Sequence, residues 1–160
     1  LVLEGLDAWC AGKEPAQLQR LSGLDIGTGT GVLALALGRL GVGCVVAVDH
    51  APGAVAEAMA NVRLNRLEAV VTVTDRPLRD IRGRFALVAA NLRPPSLMAL
   101  AGHIADSLDP GGVVILSGFR PSEAAVVARP YLEQGMLAMS RRVKNGWAAL
   151  DLQSSIPPVP

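Results

Sequence analysis

Three glycines at alternate positions, Gly27, Gly29 and Gly31, lie in the stretch LDIGTGTG at residues 24–31. Glycine lets a backbone turn sharply and approach a bound molecule closely. One acid, Asp25, precedes the glycines, and a second, Asp49, closes the apolar run CVVAVD. An acid about 20 residues beyond such a loop can accept both hydroxyls of a ribose. The chemistry offered is therefore the binding of an adenosine-containing cofactor. Asp49 has an alternative role, capping the helix that Pro52 opens. Asp25 can orient the loop, and Thr28 and Thr30 can shape it. His50 follows Asp49 and can border the adenosine. His50 and His103 have no metal-ligand partner at a useful spacing, so neither is read as catalytic and no metal is expected.

The elements that must position these residues follow from periodicity. Val2, Leu6 and Trp9 predict an amphipathic helix over 1–11. A strand over 21–26 feeds the glycine loop, and a helix over 32–40 follows it, ended by Gly41 and Gly43. Further strands are expected at 44–49, 69–74, 85–90 and 113–118. Helices are expected from Pro52, with Val55, Met59 and Val62 as its buried stripe, and from Leu97 to Leu108. Asp109-Pro110-Gly111-Gly112 predicts a turn. A helix over 122–134 should be kinked or shortened by Pro130. The last two strands, 136–143 and 147–153, flank Asn145-Gly146, a type I′ hairpin signal that makes them antiparallel.

Alternation of strands and helices predicts an α/β fold: a seven-stranded, mostly parallel sheet with helices on both faces and a C-terminal antiparallel hairpin. Residues 1–153 are expected to form one domain, followed by a proline-rich tail over 154–160. The chain opens at Leu1 inside a helical pattern, as expected of a piece of a longer protein.

Composition agrees with a buried sheet. Hydrophobic residues make up 51% of the 160 residues and aromatics only 3%. The net charge of +1 gives no footprint for strong nucleic-acid binding. Arg141, Arg142 and Lys144 form a small basic cluster, either a solvated strand edge or a contact for RNA or an acidic partner. Cys10 and Cys44 are expected as small buried hydrophobes, which fits a reducing, cytoplasmic setting. Neither a membrane span nor a signal peptide is expected.

Gly29, Gly31 and Ala34 also satisfy a G-x-G-x-x-A dinucleotide pattern. Against a nicotinamide dehydrogenase stand Asp25, an anion where a phosphate loop gains nothing from one, the tight glycine spacing, and the closing hairpin.

LDIGTGTGVLALA resembles the first motif of class I S-adenosylmethionine-dependent methyltransferases, and SLDPGGVVILSG resembles their turn into the fifth strand. Within that superfamily the chain is most similar to the PrmA family, which methylates amino groups of a large-subunit ribosomal protein. NVRLNR, FALVAANL, LDPGGVVILSGF and the hairpin with Trp147 carry that resemblance. The resemblance implies S-adenosylmethionine as cofactor and a protein substrate, with Asp25, Gly27, Thr28, Gly29, Gly31 and Asp49 on the cofactor: Asp25 would meet its amino group, directly or through water, and Thr28 and Thr30 would bond its carboxylate or simply shape the loop. It implies Asn91 beside the methyl group and the incoming amine, where its carbonyl would orient the nitrogen. The plainer role for Asn91 is to satisfy exposed strand backbone. Asp75 falls where an adenine contact is usual, and a solvated loop acid is its plainer reading. Leu92-Arg93-Pro94-Pro95 departs from the family's less proline-rich loop. Asn91 with Pro94-Pro95 only loosely resembles the motif of base-amino methylation, because no aromatic follows to stack a flipped base. The same fold could also serve an RNA or small-molecule methyltransferase, or a cofactor-binding domain without catalysis.

Overall fold

Continuous apolar runs make strands that are buried on both faces. FALVAAN does so in the computed structural model, which describes residues 1–155: Leu87 and Ala89 enter one core cluster, Val88 and Ala90 the other. The tail expected at 154–160 lies, from residue 156 on, outside the described residues.

The first half of the chain runs α1 (Val2–Cys10), α2 (Pro15–Leu18), β1 (Ser22–Ile26), α3 (Val32–Arg39), β2 (Cys44–Val48), α4 (Pro52–Leu64) and β3 (Val71–Thr74). The second half runs β4 (Phe85–Asn91), α5 (Pro94–Ala99), α6 (Ala101–Ser107), β5 (Leu108–Phe119), α7 (Ala124–Glu133), β6 (Leu137–Lys144) and β7 (Trp147–Gln153). All seven strands form one sheet in the order β3-β2-β1-β4-β5-β7-β6. Strands β1 to β5 are parallel, whereas β7 runs antiparallel to both β5 and β6. The expected α/β architecture and closing hairpin are thus observed. Asn145 and Gly146 both have positive φ, at 51° and 76°, as a type I′ turn requires.

Helices α1, α3 and α4 cover one face, where Leu6, Leu37 and Val62 pack on Val45, Ala47 and Ile115. Helices α5, α6 and α7 cover the other, where Leu97, Ile104 and Val127 pack on Leu24, Val114 and Leu116. The Tyr131 hydroxyl, buried in α7, donates to the Leu97 carbonyl at 2.7 Å and ties α7 to α5. No helix among the described residues is long and apolar enough to cross a membrane.

Several expectations are corrected. The helix expected over 97–108 begins earlier, at Pro94, and breaks at Leu100 into α5 and α6. Pro94 at the first helical position has a suitable fixed φ and lacks only an N–H that would be orphaned anyway. Asp109-Pro110-Gly111-Gly112 does turn, with Gly111 at φ 73° and Gly112 folded back on the Asp109 backbone, but the turn lies within β5, where the register with β4 shifts between Phe85 and Leu87, rather than ahead of the strand. Helix α7 continues through Pro130, anchored by the buried Val127, Ala128 and Tyr131. The buried stripe of α4 is Ala58 and Val62, while Met59 is exposed. Cys10 is buried as expected, but Cys44 is exposed at the start of β2. The short helix α2 carries no periodic signal in the sequence.

Helix α2 meets Gly43 backbone to backbone, the Gly43 amide donating to the Leu18 carbonyl at 3.1 Å. A Cβ at Gly43 would overlap the Gln19 carbonyl oxygen and lie 3.1 Å from its Cα. Backbone atoms cannot swing aside as a side chain can. Gly43→Ala is expected to destabilise the chain by about 1–3 kcal/mol. Thermal unfolding checks this, with a midpoint loss of about 2–4 °C per kcal/mol; an unchanged midpoint would contradict the close approach.

Candidate functional site

In an open parallel sheet, ligands bind at the carboxyl ends of the strands where the strand order reverses. Here that point lies between β1 and β4. The buried polar residues among the described residues are Asp25, Thr28 and Ser117, all at that edge. Polar groups removed from water at one edge of an apolar sheet mark a candidate site.

Asp25 is fully buried near the end of β1. Its Oδ2 accepts the Thr28 hydroxyl at 2.6 Å and the Ala34 amide of α3 at 3.1 Å. Its Oδ1 is buried without a partner. Burial pushes the carboxyl up to about 6, against the lowering effect of the Thr28 and Ala34 donors. The Thr28 hydroxyl is thereby turned inward onto Asp25. The Ala34 N–H, in the first turn of α3, is taken up by Asp25.

The glycine loop is held as tightly as the sequence suggests. Gly27, Gly29 and Gly31 have φ of 70°, 56° and 86°, a region costly to residues with a Cβ. The Gly27 and Thr28 amides donate to the Val48 carbonyl at 2.8 and 3.0 Å, and the Gly31 amide to the Thr28 carbonyl at 2.9 Å. The Gly29 amide donates to Asp49 Oδ2 at 3.0 Å. Over Gly29 there is open space: a Cβ placed there would meet nothing within 4 Å.

Asp49 follows β2 with its side chain 11% exposed. Its Oδ1 accepts the Ala51 amide at 3.0 Å in the turn ahead of α4, but Ala51, not Asp49, is the N-cap and no side chain caps the helix, so the capping alternative is not what is observed. Burial works against its charge, but the Ala51 and Gly29 donors and nearby His50 outweigh this and hold the carboxyl below its usual range. It remains an anion, and each oxygen has lone pairs left for further donors.

Two clefts open at this edge. One, of about 350 Å³, is lined by Gly27, Asp49, His50, Asp75, Pro77 and Leu92, among others. It brings together the predicted cofactor residues Gly27, Asp49, His50 and Asp75. His50 is fully exposed, its ring 3.7 Å from Asp49 Oδ1. The other cleft, of about 470 Å³, is lined by Val2, Val32, Asn91, Ser117, Lys144 and Trp147, among others. Asn91 ends β4 exposed, in register with Ser117 of β5. Ser117, Leu92 and Trp147 also line these clefts, which the sequence does not reveal. Only their placement beside Asn91 and Gly27 marks them, and no motif encodes that. The Trp147 ring lies under the Arg120 guanidinium, 4.2 Å from its carbon, at the tip of the β6–β7 hairpin.

Of the basic cluster, Arg142 pairs with Asp151, Lys144 with Glu4, and Arg141 donates to the Pro121 carbonyl at 3.0 Å. These partners come from the protein itself, in keeping with a strand edge. His103 lies on α6, outside both clefts. No group of three or more potential metal ligands occurs among the described residues.

A sheet of this order, with a glycine loop after β1, an acid after β2 and a C-terminal antiparallel hairpin, is the class I methyltransferase fold. Solved structures agree. A ribosomal protein L11 methylase from Lactobacillus delbrueckii subsp. bulgaricus superimposes with a TM-score of 0.83 at 26% identity, over 94% of this chain and 76% of that one. Magnesium protoporphyrin IX methyltransferase from Synechocystis PCC 6803, solved with bound SAM, shares the fold with a TM-score of 0.77 at 20% identity, over 96% of this chain and 78% of that one. The chain belongs to the ribosomal protein L11 methyltransferase (PrmA) family, whose model matches residues 2–155. Among its relatives, the ribosomal protein L11 methyltransferase of Geotalea uraniireducens is 35% identical over 127 residues, 79% of this chain and 40% of that protein. That of Pelotomaculum thermopropionicum is 39% identical over 127 residues, 79% of this chain and 41% of that protein. The chain thus spans about two fifths of the length of these relatives.

Proposed function

We propose that residues 1–153 form the domain of a cytoplasmic, S-adenosylmethionine-dependent N-methyltransferase that acts on amino groups of ribosomal protein L11. The observation that carries the cofactor is the donor set of the glycine loop. Its Gly27, Thr28, Gly29 and Gly31 amides are taken up by protein acceptors. A pyrophosphate needs such donors free. What the loop offers instead is carboxylate: the unpartnered Oδ1 of Asp25 beneath it and Asp49 beside it. That set suits a ligand with an ammonium group and ribose hydroxyls.

Asp49 would hold the ribose hydroxyls, and Asp75 and His50 would border the base. Gly27, Gly29 and Gly31 would let the ligand lie close to the backbone over the open space at Gly29. Thr28 would act through Asp25, which would orient the ligand's amino group. When bound, S-adenosylmethionine supplies a methyl group already activated on a sulfonium. The chain's own task is then alignment and desolvation of the amine. Asn91 would accept a hydrogen bond from the amine and direct its lone pair. Most residues lining that cleft are apolar, Val2, Val32 and Trp147 among them, and its cation Lys144 is already paired with Glu4. An amine desolvated against such a lining favours its neutral form. No protein base is then needed.

Family membership supports the protein substrate. A labelled-methyl assay on the full-length protein with ribosomal protein, ribosomes and RNA tests it. Label in the ribosomal protein is expected; label confined to RNA would overturn the substrate. Calorimetry with S-adenosylmethionine, S-adenosylhomocysteine and NAD tests the cofactor, and binding of NAD alone would overturn it. Asp49→Ala is expected to weaken S-adenosylmethionine binding at least tenfold, the loss implied by a charge-assisted bond. Unchanged affinity would reduce Asp49 to its role in the turn ahead of α4.

A further inference from the structure

We propose that Leu92 is a positioning residue that sets Asn91 in register with the glycine loop. The contacts stand on geometry alone, while their catalytic consequence rests on the function proposed above. Leu92 is the first residue after β4, and its amide donates to the Ser117 carbonyl at 3.0 Å. Gly118, next in β5, has φ of 100°, at a register shift between Ser117 and Phe119. A Cβ at Gly118 would overlap the Leu92 carbonyl oxygen and lie 2.8 Å from its carbonyl carbon and 3.0 Å from its nitrogen. Only glycine admits this approach, in both conformation and space. The atoms pressed on it are the backbone that continues directly from Asn91.

The other end of Leu92 meets the cofactor loop. A Cβ at Gly27 would overlap Leu92 Cδ2 and lie 3.2 Å from Cγ. The Leu92 side chain therefore fills the space left by the missing side chain of Gly27. It also packs on the core cluster beneath α5 to α7. One residue is thus held at its backbone by β5 and at its side chain by the loop after β1. Asn91 is its immediate neighbour and borders the second cleft. A movement of Leu92 changes the distance between the two clefts, and about 1 Å of misplacement can cost 10²-fold in rate.

The mechanical link is tested without ligand, by amide resonances of the whole chain. Gly118→Ala is expected to move the Gly27 signal, although β4 lies between β5, which holds residue 118, and β1, which leads into residue 27. In a Leu92→Ala background the same change should leave Gly27 where Leu92→Ala alone put it, because the link is cut. A Gly27 signal indifferent to Gly118→Ala, or equally moved in both backgrounds, overturns the proposal. Should Gly118→Ala fail to fold, Leu92 itself is tested in the full-length protein. Leu92→Ala is expected to lower kcat at least tenfold, with KM for the acceptor within threefold, and Leu92→Met to restore most of it by refilling the space over Gly27. A loss no greater than the unfolded fraction, or no rescue by methionine, overturns it too. A wild-type protein that transfers no methyl group would sink the proposed function, and the ligand-free spectra would still decide the link.

Discussion

Asp25→Asn is expected to gain ligand-free stability relative to the wild type as pH rises from 4 to 7, and to lose at least tenfold in affinity for S-adenosylmethionine. The two effects have one origin, a buried carboxyl with one oxygen unpartnered. Burial raises the folded carboxyl to about 6, against 3.8 for the ordinary group. Below 3.8 it is neutral in folded and unfolded chains alike, so ionisation costs nothing. As pH climbs, the unfolded chain ionises first and the wild type loses stability. That loss is complete once pH passes about 6. It amounts to roughly 3 kcal/mol at 1.36 kcal/mol for each pKa unit. Asparagine has no charge to bury, so its stability relative to the wild type should rise by about that amount across the interval. Its carbonyl can still accept from Thr28 and Ala34, but its amide nitrogen must take the unpartnered place, at about 1–3 kcal/mol. The absolute difference at one pH is therefore smaller than the slope. Unfolding midpoints of both proteins across the interval measure that slope.

The affinity loss follows from the same oxygen. An unpartnered anion beneath the loop gains from a cation, and a neutral amide there does not. A charge-assisted hydrogen bond is worth about twice a neutral one, and 1.4 kcal/mol is tenfold in affinity. Calorimetry at pH 7 would show it. Affinity within twofold of the wild type would mean that Asp25 serves only Thr28 and Ala34. A flat stability difference between pH 4 and 7 would mean that the buried carboxyl is not raised.

The sequence made legible whatever depends on near neighbours along the chain. The alternate glycines, the acids before and after them, and Asn145-Gly146 encode backbone conformation locally, and each appears where expected. Strands read from unbroken apolar runs were found because burial on both faces leaves no alternation to confuse them. What the sequence hides depends on contacts across the sheet. Cys44 is apolar in its sequence neighbourhood, yet its side chain is exposed at a strand start. Along the chain Thr28 reads equally as a cofactor or a loop residue, and only the fold gives its hydroxyl to Asp25. Gly118 reads as an ordinary strand glycine, and Leu92 as one more apolar residue, until β4 and β5 bring them together. The β4–α5 junction was obscured by Pro94-Pro95, which in sequence can mark either a loop or a helix start.

Asn91→Ala is expected to lower kcat for amine methylation by about 10²-fold, the cost of losing alignment at the reacting centre, while cofactor affinity stays within threefold. The split follows from position. Asn91 borders the cleft with Ser117, Lys144 and Trp147, and not the cleft with Asp49 and Asp75. Its side chain is exposed at the strand end and makes none of the hydrogen bonds that hold the glycine loop. Alanine should therefore fold normally, because the β4 and β5 backbones still pair at Asn91 and Ser117. It would lack the carbonyl that orients the amine. Asn91→Asp keeps an acceptor of the same shape but adds a negative charge, which favours the ammonium, the form that cannot attack. Its activity should fall at neutral pH and recover toward alkaline pH, where the amine is neutral. Single-turnover rates across pH, with calorimetry for cofactor binding, separate these effects. Equal loss of affinity and rate in Asn91→Ala would place Asn91 on the cofactor alone. An unchanged rate would leave it the plain role of finishing a strand.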